Sequence, residues 1–340
     1  VSTISVIGRN DLSRNGEKTV TKATFALLFA KRNTLKGVVT KSTGNHYTVM
    51  DLSGQRFECV LRGKFKISGI LSTNPIAVGD YVEFETVPGA EVAVIHSINE
   101  RRNYLVRKAT NLSRQKHIIA ANLDQAMIVA TLAEPRTSSG FMDRFLVTCE
   151  AYSIPAIIVF NKTDLYGEQE LALLSEYMDV YSNLGYGCIP VSAQSGENLD
   201  ALKSILKNKT TLLSGHSGVG KSTLINTISP GLNLKVQAIS RAHLKGKHTT
   251  TFAEMFELKD LGFIIDTPGI KEFGLVGFEP WELAHYYPEM RTLFNLCRFD
   301  NCTHSNEPGC KVKEAVEEGT ISYFRYENYL SMLFGEDNRA

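Results

Sequence analysis

The chain has 340 residues, 43% of them hydrophobic and 21% charged, with a formal net charge of +1. This is long enough for two or three domains with real cores, and it excludes an intrinsically disordered chain. Six cysteines are too sparse for a disulfide scaffold, and the apolar run Ala23 to Ala30 is too short to span a bilayer.

Residues 1–33 fit no element and are read as a leader, either disordered or an upstream extension. Short alternating runs follow, LKGVVT, HYTVMD, RFECVL, DYVEFETV and EVAVIHSI, separated by turn signals such as Thr43-Gly44-Asn45 and Ser53-Gly54. Five such strands within 34–100 predict a small β-barrel. An OB-fold fits best, with an SH3-like barrel or open meander as the alternative.

A basic linker is expected over 101–117, where Arg101, Arg102, Arg107, Lys108, Arg114 and Lys116 occur with no acid. Together with Arg62, Lys64 and Lys66 of the barrel, and Arg241, Lys245 and Lys247 further on, these cations form a candidate RNA surface, because clustered positive charge binds phosphate by releasing counterions. The plain alternative is a solvated charged face.

From 118 to 278 apolar runs, among them AMIVATL, AIIVF, CIPVS, TLLSG and FIIDT, alternate with helical patterns over 141–152, 168–184 and 198–207. That alternation predicts a doubly wound, mostly parallel α/β sheet, with chemistry at the carboxyl ends of the strands. Asn161, Lys162, Thr163 and Asp164 follow one such strand. A carboxylate at Asp164 can accept two hydrogen bonds from a guanine edge, which selects GTP over ATP. Ser192 and Ala193 follow the next strand and supply a backbone contact to the base.

Gly215, His216, Ser217, Gly218, Val219, Gly220, Lys221 and Ser222 then fit the phosphate-loop pattern between a strand and a helix that begins with Thr223. Small residues there let consecutive N–H groups wrap phosphates. Lys221 would bridge the terminal phosphates and Ser222 would hold magnesium. Among Thr249, Thr250 and Thr251, Thr250 has the spacing of a magnesium ligand. Asp266 would reach the ion through water, and Gly269 would place an N–H at the terminal phosphate. The residue after Asp266-Thr267-Pro268-Gly269 is Ile270, not a glutamine that could orient water, so intrinsic turnover should be slow. His248 is a candidate to position water, or else one more cation in its loop.

Past Glu279 the chain turns helical, over Trp281–Phe294, Lys311–Glu318 and Ser322–Phe334. Cys297, Cys302, His304 and Cys310 offer three thiolates and one imidazole within a short loop, enough for a closed, structural zinc shell. This gives a third, helical zinc-binding domain over 279–340. Buried free cysteines are the alternative, and Cys59, Cys149 and Cys188 belong to that class.

The order of the motifs is unusual, because the guanine-reading elements precede the phosphate loop. A GTPase sheet tolerates such a circular permutation when its conventional ends lie close together. With the barrel, KHTTT, the hydrophobic residue after DTPG and the Cys/His cluster, the chain resembles the circularly permuted small-ribosomal-subunit GTPases of the RsgA (YjeQ) family over about 35–335. The resemblance implies a cytoplasmic, monomeric GTP hydrolase with magnesium and one structural zinc. Its partner would be the small (30S) subunit, through 16S rRNA and subunit proteins, with subunit-stimulated activity late in maturation and no membrane contact. The alternative is a GTP-gated RNA-binding regulator of tRNA or mRNA with incidental turnover.

Overall fold

The computed structural model describes residues 33–61, 75–86, 89–108, 116–232, 253–266 and 279–335. Alternating residues turn one face of each N-terminal strand inward. The strands are β1 (Asn33–Ser42), β2 (Tyr47–Asp51), β3 (Arg56–Leu61), β4 (Tyr81–Thr86) and β5 (Ala93–Ile98). Strands β1, β2 and β3 pair antiparallel, β3 pairs parallel with β5, and β4 pairs antiparallel with both β5 and β1. The parallel β3–β5 step closes a five-stranded barrel and excludes the open meander. Val39, Tyr47, Val49, Cys59, Val82, Phe84 and Ile95 fill it.

The segment expected as a linker folds in part as a hairpin, β6 (Tyr104–Lys108) against β7 (Lys116–Ala121). Arg101 turns inward. It donates to both carboxylate oxygens of buried Asp80 at 2.6 Å and to the Pro75 carbonyl at 2.7 Å. With a side chain only 8% exposed, Arg101 leaves the accessible basic surface, contrary to its reading as an RNA contact. Arg102 is 60% exposed and pairs with Asp124.

The central sheet runs β10 (Gly187–Pro190), β9 (Ala156–Phe160), β8 (Gln125–Ala130), β11 (Lys209–Ser214), β13 (Gly262–Asp266), all parallel, with β12 (Glu254–Leu258) antiparallel at the end. Successive residues point to opposite faces and both faces are covered, which is why these strands read as unbroken apolar runs. Ile128 packs with Phe145, Leu146 and Tyr181 on one face, and Val129 with Leu202, Leu213 and Leu224 on the other. The covering helices are α1 (Ser139–Ala151), α2 (Glu168–Asn183), α3 (Leu199–Leu206) and α4 (Lys221–Ile228). Ser138 caps α1 by accepting from the Phe141 N–H.

Barrel and sheet are continuous. Lys41 of β1 pairs across to Glu254 of β12, joining eleven strands in one ladder. A second seam joins the barrel to the β6–β7 hairpin, from Val78 to Ala120, where Gly79, at φ +92°, passes so close that a Cβ would lie 2.1 Å from the Ala121 carbonyl oxygen.

The C-terminal unit comprises a 3-10 turn Pro280–Tyr286, the single turn α5 (Pro288–Arg291), a 3-10 turn Phe294–Leu296, α6 (Lys311–Glu317) and α7 (Tyr323–Leu333). The continuous helix expected over 281–294 is broken because Tyr287, preceding Pro288, is held in extended backbone. Arg325 of α7 is wholly buried and donates to Asp143 of α1 at 2.5 Å and to Glu289 at 2.7 Å. Its guanidinium lies over the Tyr287 and Tyr181 rings. This buried cation ties the C-terminal unit to the central sheet.

Candidate nucleotide site and Cys/His centre

The carboxyl ends of β9, β10 and β11 bring together residues far apart in sequence. Asn161, at the end of β9, is buried. Its Nδ2 donates to the Val219 carbonyl at 2.8 Å, and its Oδ1 accepts from the Ala193 N–H at 3.2 Å. One side chain thus ties the phosphate-loop sequence to both guanine-motif segments. Gly220 is required by this contact: at φ +93°, a Cβ there would fall 2.5 Å from Asn161 Nδ2.

Asp164 is exposed and accepts from the Ser192 hydroxyl at 2.5 Å, while Ser192 Oγ accepts from the Gln194 and Ser195 N–H groups. This chain of bonds fixes the carboxylate beside Ala193. Lys162 adopts the left-handed region at φ +66° and donates to the Glu134 carbonyl at 2.7 Å.

Between β11 and α4, Lys221 donates to the carbonyls of Gly215 at 2.6 Å and His216 at 2.7 Å. Burial pushes its ammonium down to about 8, against the pull of Asp266. A phosphate at this position would compensate the desolvated charge. Ser222 and Asp266 are both largely buried, at the start of α4 and the end of β13. Thr223 is exposed, as are Ser217 and Gly218, while Val219 is buried in the core beneath the loop.

His248, Thr250, Gly269, Arg62, Lys64, Lys66, Arg114, Arg241, Lys245 and Lys247 lie outside the described residues. Arg107, Lys108 and Lys116 stand on the β6–β7 hairpin.

The cluster comes together as the sequence suggests. The ligand-capable atoms of Cys297, Cys302, His304 and Cys310 all lie within 4.8 Å of one another. His304 Nδ1 is 3.7 Å from Cys297 Sγ and 3.4 Å from Cys310 Sγ. With zinc–sulfur bonds of about 2.3 Å, a tetrahedral shell has edges of roughly 3.5–3.8 Å, so the donor set and its spacing fit that ion. Burial lowers the His304 imidazole's affinity for protons, which favours the neutral, ligating form.

Supporting bonds hold this loop. Tyr326 donates to the His304 carbonyl and Tyr329 to that of Thr303, both at 2.6 Å. Glu307 accepts from the N–H groups of Thr303, Ser305 and Asn306. Burial opposes ionisation of Glu307, yet the Thr303 hydroxyl, followed by the surrounding backbone N–H groups, holds its carboxyl at about 2.

The family model described as "RsgA GTPase" matches residues 98–276, and that of the RsgA N-terminal domain matches 36–95. The chain belongs to the RsgA GTPase family. Membership makes it a GTP-hydrolysing enzyme that uses GTP, GDP and magnesium. It is 51% identical over 299 residues to the Small ribosomal subunit biogenesis GTPase RsgA of Bacteroides fragilis, covering 88% of this chain and 96% of that protein. The RsgA of Christiangramia forsetii is 49% identical over 306 residues, with 89% and 97% covered.

Among solved structures, YjeQ from Thermotoga maritima superposes with a TM-score of 0.73 at 36% identity, over 91% of this chain and 100% of that one. YloQ, described as a circularly permuted GTPase, gives 0.67 at 29% identity, over 91% and 96%. The central domain of this RsgA-family chain is therefore a circularly permuted GTPase, with a five-stranded barrel before it and a Cys/His cluster after it.

Two features of the site escaped the sequence motifs. Tyr166 accepts from the Leu132 N–H at 3.0 Å and donates to the Asn161 carbonyl at 2.8 Å. Phe141 lies on the ring of His216, with centroids 3.6 Å apart. Neither tyrosine nor phenylalanine at such positions has a sequence signature.

Proposed function

We propose that this RsgA-family protein hydrolyses GTP in the cytoplasm and acts with the small ribosomal subunit late in its biogenesis. The observation that supports this best is the convergence of Asn161, Val219 and Ala193 by direct hydrogen bonds, in a chain half identical to relatives named for that role.

In this reading Asp164 accepts from the guanine edge, and the Ser192 hydroxyl keeps its carboxylate oriented. N–H groups of the phosphate loop enclose the phosphates, and Lys221 gives up its carbonyl partners to the terminal phosphates. Ser222, Thr250 and, through water, Asp266 would hold magnesium, which neutralises charge on the phosphate oxygens. Gly269 presents an N–H to the terminal phosphate, and His248 orients the attacking water once the subunit is bound.

Cys297, Cys302, His304 and Cys310 would hold one zinc, which closes the loop between α5 and α6. The basic residues Arg102, Arg107, Lys108 and Lys116, with those outside the described residues, would meet 16S rRNA, and the protein acts as a monomer. No helix among the described residues is long and apolar enough to cross a membrane.

Sedimentation tests the proposal. With a non-hydrolysable GTP analogue the protein should travel with purified small subunits, and with GDP it should stay near the top of the gradient. Equal association with large subunits, or with bulk tRNA, would contradict it.

A further inference from the structure

Helix α1 touches the phosphate loop with its first turn and the Cys/His unit with its next. In the first turn, Phe141 lies on His216, with ring centroids 3.6 Å apart and 34° between the planes. The carbonyls of His216 and its neighbour Gly215 are the two that hold Lys221. A shift of His216 therefore displaces the lysine's acceptors and the N–H groups that follow it. Pro135, in the connection leading into α1, approaches the same loop, where a Cβ on Gly218 would lie 3.1 Å from the proline ring.

Two residues beyond Phe141, Asp143 is fully buried. It accepts from the Tyr181 hydroxyl at 2.7 Å, Arg325 at 2.5 Å and Asn328 at 2.7 Å. Arg325 and Asn328 both belong to α7, and Val147, one turn further along α1, is part of the Cys/His unit's core. Helical positions two apart point about 200° from each other, so the helix is held between its two contacts. A brace can set a loop only if it is itself fixed, and the three donors on Asp143 fix this one.

We propose that Phe141 is a positioning residue for the phosphate loop, and that α1, anchored at Asp143, transmits the placement of the Cys/His unit to His216. The inference rests on reading Gly215–Ser222 as the phosphate-binding loop. Removing the ring takes away the stacking contact on His216, so affinity for GDP and for GTP falls together. Asp164 is held by the Ser192 hydroxyl and by neither ring of the stack, so preference for GTP over ATP is retained.

The test is a titration of the full chain with fluorescent GDP and a fluorescent non-hydrolysable GTP analogue, with ATP as competitor and a thermal melt of each variant. Phe141→Ala should weaken both guanine nucleotides by roughly three- to tenfold, the worth of one aromatic pair. Phe141→Tyr should restore binding to within about twofold. The Phe141→Ala/His216→Ala double variant should bind no more weakly than the weaker single variant, because the two act as one unit. If the alanine variant does not fold, Phe141→Leu replaces it with the same expectations.

Asn328→Ala, which removes one donor from Asp143, should weaken binding in the unsubstituted background and add nothing to Phe141→Ala. Binding by Phe141→Ala within about twofold of the unsubstituted chain, or penalties that simply multiply, would overturn the positioning role. An Asn328→Ala effect that is nil, or equal in both backgrounds, would overturn the link to the Cys/His unit. An unsubstituted chain that binds neither nucleotide would instead overturn the reading of the loop itself.

Discussion

Asn161 Nδ2 and the Val219 carbonyl oxygen meet at 2.8 Å although 58 residues separate them. The guanine motif comes first in this chain and the phosphate loop second, yet the bond that joins them is made. Permutation has changed the connections between strands without changing which carboxyl ends lie side by side.

In the proposed reading, base specificity resides in Asp164. Replacing it by Asn substitutes an amide donor for one carboxylate acceptor, leaving a guanine N–H opposite an N–H. GTP affinity should fall by roughly 10- to 100-fold, while a xanthine nucleotide, which offers an acceptor there, should gain. Competition titrations with both nucleotides measure this; unchanged GTP affinity would remove Asp164 from the base contact.

At the seam between barrel and β6–β7 hairpin, Gly79→Ala should destabilise the protein by roughly 2–5 kcal/mol, through left-handed strain and a clash with backbone. The added Cβ would sit 2.1 Å from Ala121 O, whereas at Gly54, also at positive φ, nothing lies within 4 Å. Gly54→Ala should therefore cost only about 1 kcal/mol. Urea unfolding of the pair separates the two terms.

Arg325→Met removes the cation from between Asp143 and Glu289 and leaves two buried carboxylates without a positive charge to offset them. A loss of about 3–5 kcal/mol is expected. Adding Asp143→Asn to that variant should recover part of it, because the amide carries no charge to desolvate. Chemical denaturation checks both variants, and an Arg325→Met chain as stable as its parent would contradict the role of this buried cation.

Metal analysis should find one zinc per chain. Cys302→Ser should abolish it, while Cys59→Ala, Cys149→Ala and Cys188→Ala should retain it. Chelation should lower the melting temperature, since a structural zinc contributes directly to folding. Full zinc content in the Cys302→Ser chain would place the ion elsewhere.

Much of this architecture was legible because it rests on local pattern. Period-two alternation revealed the barrel strands, unbroken apolar runs the parallel sheet, and cysteine spacing the ligand cluster. What was not legible depends on long-range geometry. Nothing beside Arg325 in the sequence signals its burial, because its partner Asp143 lies 182 residues away. Arg101 reads as part of a basic run, but Asp80 draws it inward. The joining of β1 to β12 has no sequence signature, since an edge strand recruits its neighbour through backbone groups that every residue carries. The break at Pro288 did carry a local signal, a proline inside a helical pattern, although the helix expected over 281–294 ran through it.

The most direct measurement is GTP hydrolysis by the purified protein alone and with equal amounts of small subunits, large subunits or bulk tRNA, at two salt concentrations. The account predicts slow turnover alone, stimulation confined to small subunits, and weaker stimulation at the higher salt as phosphate contacts are screened. Equal rates for the protein alone and in all three mixtures would contradict it.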